Sequence, residues 1–303
     1  MHYIKLNVVK LIPLLVFSLF SLYISEPIDF SSNSPFFRDK KYCTLEKNGQ
    51  GSDYKSPVNI GYYNSDGTMV FPGNPHFVLD RTFYKRVNGV KFEFLNKQVS
   101  DNLQYKDLEM NITGIGYAYV KLYNQTYVYN PKTLRLRVFS EHTFEKTKMD
   151  MEIQIMHELS DITNNKLPQR IGLAVLFSIA RNKKSSFVDD FIGKDEKSTD
   201  ETTRYYFTLT KSLDLNQFFN FWEPYYYYEG SGTSPEDYCK RVDWFVMKKV
   251  QNMSQEQLRQ IQLILSHEGY PDGFAKKLEK NLANGKSKHR IFYHPNVEPE
   301  DDE

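Results

Sequence analysis

The sequence predicts a β-dominated α+β domain. Three observations lead there: several short segments alternate apolar with polar residues, one longer segment is apolar almost throughout, and helix signals are few and late. At 303 residues, with 40% hydrophobic and 15% aromatic content, the chain can bury a sizeable core. No tandem repeat or low-complexity linker divides it, and Pro and Gly are scattered as turn punctuation, so a single domain is expected.

In chain order, the alternating segments are Val90-Lys-Phe-Glu-Phe-Leu95, Tyr117-Ala-Tyr-Val-Lys-Leu122, Leu134-Arg-Leu-Arg-Val138 and Glu152-Ile-Gln-Ile-Met156. A period of two puts unlike residues on the two faces of a strand, so each reads as a strand with one apolar face. Leu173-Ala-Val-Leu-Phe-Ser-Ile179 reads instead as a central strand covered on both sides. Ser254 and Gln257 form a capping-box pair ahead of Leu258, Ile261 and Leu265, whose spacing places them on one helix face. A second helix is expected from Phe274 to Leu282. The acidic end, Glu298 to Glu303, reads as a solvated tail.

Composition excludes one function class. The 39 basic and 38 acidic residues nearly balance, and the Lys and Arg form no stripe, which argues against nucleic acid as a partner. Residues 1–25 read as an export signal, with Lys5 and Lys10 ahead of an apolar run from Leu11 to Ile24. An uncleaved signal anchor is the alternative, because Tyr23 is large for a cleavage site. A secreted or extracellular-surface location follows from either. In that compartment Asn111-Ile-Thr, Asn124-Gln-Thr and Asn252-Met-Ser are N-glycosylation acceptors. Cys43 and Cys239 then read as one disulfide, with two buried free thiols as the alternative.

The most informative stretch is Leu134 to His157, LRLRVFSEHTFEKTKMDMEIQIMH. It resembles the active-site hairpin of the α-carbonic anhydrase family, which reads roughly F-H-F-H-x-P-S-E-H-T, a turn, then L-E-x-H-x-V-H. Two further segments match in order: Ser56-Pro-Val-Asn-Ile60, and YYYEGSGTSPEDYCKRVDWFVM from Tyr226 to Met247. The resemblance covers about residues 40–293, leaving 26–39 as an N-terminal segment and 294–303 as the tail. It implies a twisted, mainly antiparallel sheet of about ten strands with short peripheral helices. It also implies pairing of Cys43 with Cys239, a link over a loop long enough to stabilise by about 5 kcal/mol in the chain-entropy model.

That resemblance implies zinc chemistry which the residues here do not support. Active members hold Zn²⁺ with three neutral imidazoles and leave a fourth position to water. On the family pattern the first two ligands fall on Arg135 and Arg137 and the third on Gln154. Arginine cannot be deprotonated to ligate a cation, and two guanidiniums would repel a dication. The seven histidines (His2, His76, His142, His157, His267, His289 and His294) include no pair two residues apart, so no shift of register restores the site. His142 and His157 match positions that the family uses structurally. No metal or other cofactor is therefore expected.

Around the absent ligands the pattern is mixed. Glu141 matches the carboxylate that accepts a proton from the hydroxide-orienting threonine, which falls on Thr233, and Glu152 matches the carboxylate behind the third histidine. Thr133, Gly232 and Glu236 depart from the pattern, and one extra residue separates Thr233 from Trp244. A buried guanidinium must be paired, so Arg135 or Arg137 is expected to meet Glu141 or Glu152 within about 4 Å. Should the arginines lack carboxylate partners, a positive pocket for bicarbonate, phosphate or sulfate is the alternative. The expected function is that of an inactive carbonic anhydrase-related module with a protein partner. A lyase with residual or altered activity and a small-anion binder are the rival readings.

Overall fold

The computed structural model describes residues 56–60, 70–72, 77–87, 91–100, 103–123, 125–161, 167–192, 198–199, 205–208, 212–219, 223–233, 240–266 and 291–295. Every described residue lies within Lys41–Glu303. The export signal, Cys43, Cys239, Asn124, Glu236, the Phe274–Leu282 segment and the acidic residues from Glu298 lie outside the described residues.

The strands run β1 (Asn59–Ile60), β2 (Val70–Pro72), β3 (Phe77–Tyr84), β4 (Lys91–Ser100), β5 (Leu103–Asn111) and β6 (Gly116–Leu122). Next come β7 (Gln125–Arg137), β8 (Thr143–Phe144), β9 (Thr147–Lys148), β10 (Met151–Leu159) and β11 (Arg170–Ile179). The remainder are β12 (Ser198–Thr199), β13 (Tyr205–Thr208), β14 (Tyr225–Ser231), β15 (Arg241–Met247), β16 (Gln251–Met253) and β17 (Ile291–His294). Two helices are described, α1 (Ser186–Ile192) and α2 (Gln255–Ser266), with a short 3₁₀ turn at Asn216–Phe218. Each alternating segment of the sequence falls in a strand: β4, β6, β7 and β10.

Fourteen of the strands form one large twisted mixed sheet, whose main path is β12-β13-β4-β5-β7-β10-β11-β15-β14-β17-β2. Short outer strands carry it past the roughly ten expected. Its pairings are antiparallel except for β11 with β15, β11 with β16, and β17 with β2. A small three-stranded sheet, β1-β8-β9, joins the SPVNI segment to the hairpin turn.

Alternation gives the sheet two cores. Leu173, Val175 and Phe177 of β11 belong to the larger cluster with Leu134, Leu136, Ile153 and Ile155. Ala174 and Leu176, facing the other way, belong to a smaller one with Val58, Ile60, Tyr228, Trp244 and Val246. This two-sided burial is why β11 carries hardly a polar residue. The Trp244 ring lies against Gly172, where a Cβ would stand 2.5 Å from it, so only glycine leaves room.

The predicted capping box forms at α2: Gln257 N–H donates to Ser254 Oγ at 3.1 Å, and Ser254 N–H to Gln257 Oε1 at 2.9 Å. Leu258 and Ile261 are buried on its inner face. Gln257 Nε2 also donates to the Ser185 carbonyl and to Asp189 Oδ1, tying the start of α2 to α1.

Candidate functional site

On the face of the sheet shared with the smaller core, β7 and β10 set Arg137 opposite Glu152 and Arg135 opposite Gln154. β5 flanks β7 on its other side and sets Glu109 opposite Arg135. The loop leaving β7 contributes Ser140, Glu141 and His142. Arg135, Arg137, Glu109, Glu141, Glu152, Gln154 and Thr233 are all buried.

The guanidiniums meet carboxylates. Arg137 Nε lies 3.2 Å from Glu141 Oε1, and Arg135 Nε lies 3.4 Å from Glu109 Oε2. The pairing expected for Arg137 is present. Glu109 is a partner that the sequence pattern did not indicate, because cross-strand register between β5 and β7 cannot be read from either segment alone. Glu152, the other expected partner, is occupied elsewhere. Its Oε2 accepts the backbone N–H groups of Glu141 and His142 at 2.7 and 2.9 Å. Its Oε1 accepts from His142 Nδ1 at 2.6 Å and from Gln154 Nε2 at 2.9 Å. Four donors fill the acceptor sites of an ionised carboxylate.

Gln154 is the junction of this cluster. Its amide nitrogen donates to Glu141 Oε2 and to Glu152 Oε1, both at 2.9 Å, while its carbonyl accepts from Thr233 Oγ1 at 2.9 Å. Two carboxylates on one side and a hydroxyl donor on the other fix which end of the amide points where. Lys148, on β9, is half-buried nearby; burial pushes its pKa down, opposed by the charges of Glu141 and Glu152.

Behind the cluster stands a second set of buried polar groups. With Nδ1–H given to Glu152, His142 Nε2 accepts from the Tyr228 hydroxyl at 2.6 Å, and that hydroxyl oxygen lies 3.1 Å from Ser56 Oγ. Ser56 and Ser231 exchange two bonds, each backbone N–H donating to the other's hydroxyl at 3.1 Å, and Trp244 Nε1 donates to the Ser231 carbonyl at 2.9 Å. Gly230 is needed here, since a Cβ would stand 2.2 Å from Ser56 Oγ. Burial pushes the Tyr228 hydroxyl well above its ordinary pKa; its bond to Ser56 opposes this, and the Glu152 and Glu141 charges add to it. Asn59 Oδ1 accepts from Thr143 Oγ1 at 2.8 Å and from the Lys146 N–H at 2.6 Å. Through these contacts the three matched segments of the sequence converge on one place. Tyr228 acts there by packing and hydrogen bonding.

His157 stands apart, on the opposite face of β10. Its Nδ1–H donates to the Ile155 carbonyl at 3.1 Å, which leaves Nε2 to accept from the Tyr84 hydroxyl at 2.8 Å. Burial lowers its pKa to about 3, against the pull of the Ile155 carbonyl. Asn111 and Asn252 are exposed.

The donor set does not fit a metal of the kind the resemblance implies. Arg135 and Arg137 are cations, the Gln154 oxygen already accepts from Thr233, and among the described residues no three His, Cys, Asp or Glu are grouped to hold an ion.

A family model for eukaryotic-type carbonic anhydrases matches residues 40–290. Dioscorin DB3L of Dioscorea polystachya is 30% identical over 133 residues, which is 43% of this chain and 44% of that protein, so the chain matches less than half the length of this relative. Two solved structures illustrate the shared fold. Dioscorin complexed with ascorbate superposes with a TM-score of 0.55 at 20% identity, over 89% of this chain and 98% of its own. Carbonic anhydrase Cah3 from Chlamydomonas reinhardtii, in complex with acetazolamide, gives 0.55 at 16% identity, over 80% and 90%. With the matched segments brought together as described, the chain belongs to the eukaryotic-type carbonic anhydrase family.

Proposed function

We propose that this chain is a carbonic anhydrase-related protein that has exchanged its zinc ligands for an internal polar network, and that it works as an exported binding or structural module. Carbonic anhydrase is the standard example of zinc lowering the pKa of a bound water to about 7, which makes hydroxide available to attack CO₂. That chemistry needs three neutral donors around the metal and a fourth, open position. One observation above all supports its loss here: Gln154 spends both amide hydrogens on Glu141 and Glu152 and its carbonyl on Thr233. The groups that would orient a zinc-bound hydroxide are thus bonded to a neutral side chain.

The guanidiniums at 135 and 137 are directed to Glu109 and Glu141, so bicarbonate, phosphate or sulfate would have to displace a carboxylate to reach them. The export signal before Glu26 places the protein outside the cytosol, where Cys43 and Cys239 form a disulfide. Among the described residues no helix is long and apolar enough to cross a membrane. Function then lies on the outer surface, in contact with a protein partner. A CO₂-hydration assay on the purified protein tests this reading. The expected rate equals that of buffer; hydration abolished by a zinc chelator would overturn it.

A further inference from the structure

Of the two glycosylation triplets whose asparagine is described, Asn111-Ile112-Thr113 lies in an exposed turn, the surface setting the modification favours. β5 ends at Asn111, and the chain turns at Thr113 and Gly114, where Gly114 holds a positive φ of 83°. Within the turn Asn111 Oδ1 accepts the Thr113 N–H at 2.9 Å, an Asx turn that folds the threonine back toward the asparagine amide. Nδ2, the atom to be glycosylated, has no partner among the described residues. Asn111 and Thr113 are exposed, while Ile112 between them is buried and holds the turn to the core. The other described triplet differs. Asn252 lies within β16, paired alongside β11, and its Ser254 hydroxyl is taken up as the cap of α2.

The register says where a glycan on Asn111 would stand. Asn111 is opposite Thr133 and Glu109 is opposite Arg135. Residues two apart on a strand share a face, so Asn111 continues the face that carries Glu109, about 7 Å further along. Glu109 is buried and Asn111 is exposed, which places Asn111 at the rim of the face that holds the Arg135–Glu109 pair.

We infer that Asn111 carries an N-linked glycan whose first sugar stands at the edge of the former catalytic face. The sugar covers the approach to Arg135 there and leaves partner binding to other surfaces. This rests on the export reading, because the modification is made only on chains entering the secretory pathway.

The test is expression in a glycosylating eukaryotic cell line in two forms, one with the chain's own first 25 residues and one with a host leader, followed by peptide mapping after enzymatic deglycosylation in heavy-oxygen water. In both secreted products Asn111 is expected to appear as heavy-labelled aspartate, and both Asn111→Gln and Thr113→Ala are expected to lose one glycan from the intact mass. Two variants at different residues keep the result readable if either folds poorly. Unmodified Asn111 in the secreted host-leader product would overturn the site itself. A labelled host-leader product beside an own-leader product retained without glycan would overturn the inference through the export reading.

Discussion

The β7–β10 ladder has two faces that behave in opposite ways. On one, Leu134 pairs with Ile155 and Leu136 with Ile153, all within the larger core. On the other, Arg135 pairs with Gln154 and Arg137 with Glu152, in a cluster of charges and amides. The same residues of backbone serve both, because alternate side chains leave a strand in opposite directions. Positions 135, 137 and 154 all lie on one face and the packing that holds the strands together lies on the other, so the polar face can vary while the fold stays. The polar face sets its guanidiniums beside Glu109 and Glu141, and Gln154 links Glu141, Glu152 and Thr233.

The largest expected effect breaks the polar face. Arg137→Ala leaves Glu141 buried beside no guanidinium at that position, and a loss of about 3–5 kcal/mol is predicted, read by denaturant unfolding. Adding Glu141→Gln to Arg137→Met should recover much of it, because the uncompensated charge goes with its partner. The apolar face should give a slightly smaller loss: Ile153→Ala is expected to cost about 2–4 kcal/mol through the cavity left behind, with no rescue available from a second polar substitution. Rescue of one face and not the other is the sharpest form of the comparison.

The smallest effect near neutral pH comes from His157. Its folded-state pKa of about 3 lies below the ordinary value of 6.5, so the unfolded chain takes up this proton first as the medium is acidified. The stability that this group contributes is complete above pH 6.5 and is lost progressively as pH falls toward 3. His294, lowered by burial to about 4, adds to the same trend. A His157→Gln variant should therefore show a shallower fall in melting temperature between pH 6.5 and 4 than the parent. An unchanged slope would mean that His157 is not held neutral by its burial.

Much of this was legible in the sequence, and the residues that were not share a cause. Alternation located β4, β6, β7 and β10, and the unbroken apolar run located β11, because side-chain period reports directly on which faces are covered. The capping box at Ser254 was readable because it is local. The segments Ser56–Ile60, the hairpin and Tyr226–Met247 were recognisable from their order in a family pattern, while their meeting through Ser56, His142 and Tyr228 is a finding of the structure. Glu109 was missed, since its role depends on the β5–β7 register, set by contacts distant in sequence. Glu152 was expected beside an arginine because it shares a strand face with Gln154, on the strand next to the one whose face carries Arg135 and Arg137. It turns instead to the Glu141 and His142 backbone N–H groups and the His142 ring, a choice made by the geometry of the loop after β7.

The proposal that Arg135, Arg137 and Gln154 stand in an internal polar network and hold no zinc is tested most directly by zinc stoichiometry from elemental analysis. The purified, signal-free protein should be measured beside a variant carrying Arg135→His, Arg137→His and Gln154→His. The parent is predicted to hold next to no zinc after exposure to the metal and dialysis. The triple variant is predicted to bind it, with little CO₂ hydration, because Gly232 and Glu236 depart from the family pattern and one extra residue separates Thr233 from Trp244. One zinc per chain in the parent would contradict the account, because the protein would then hold the metal without the three histidines.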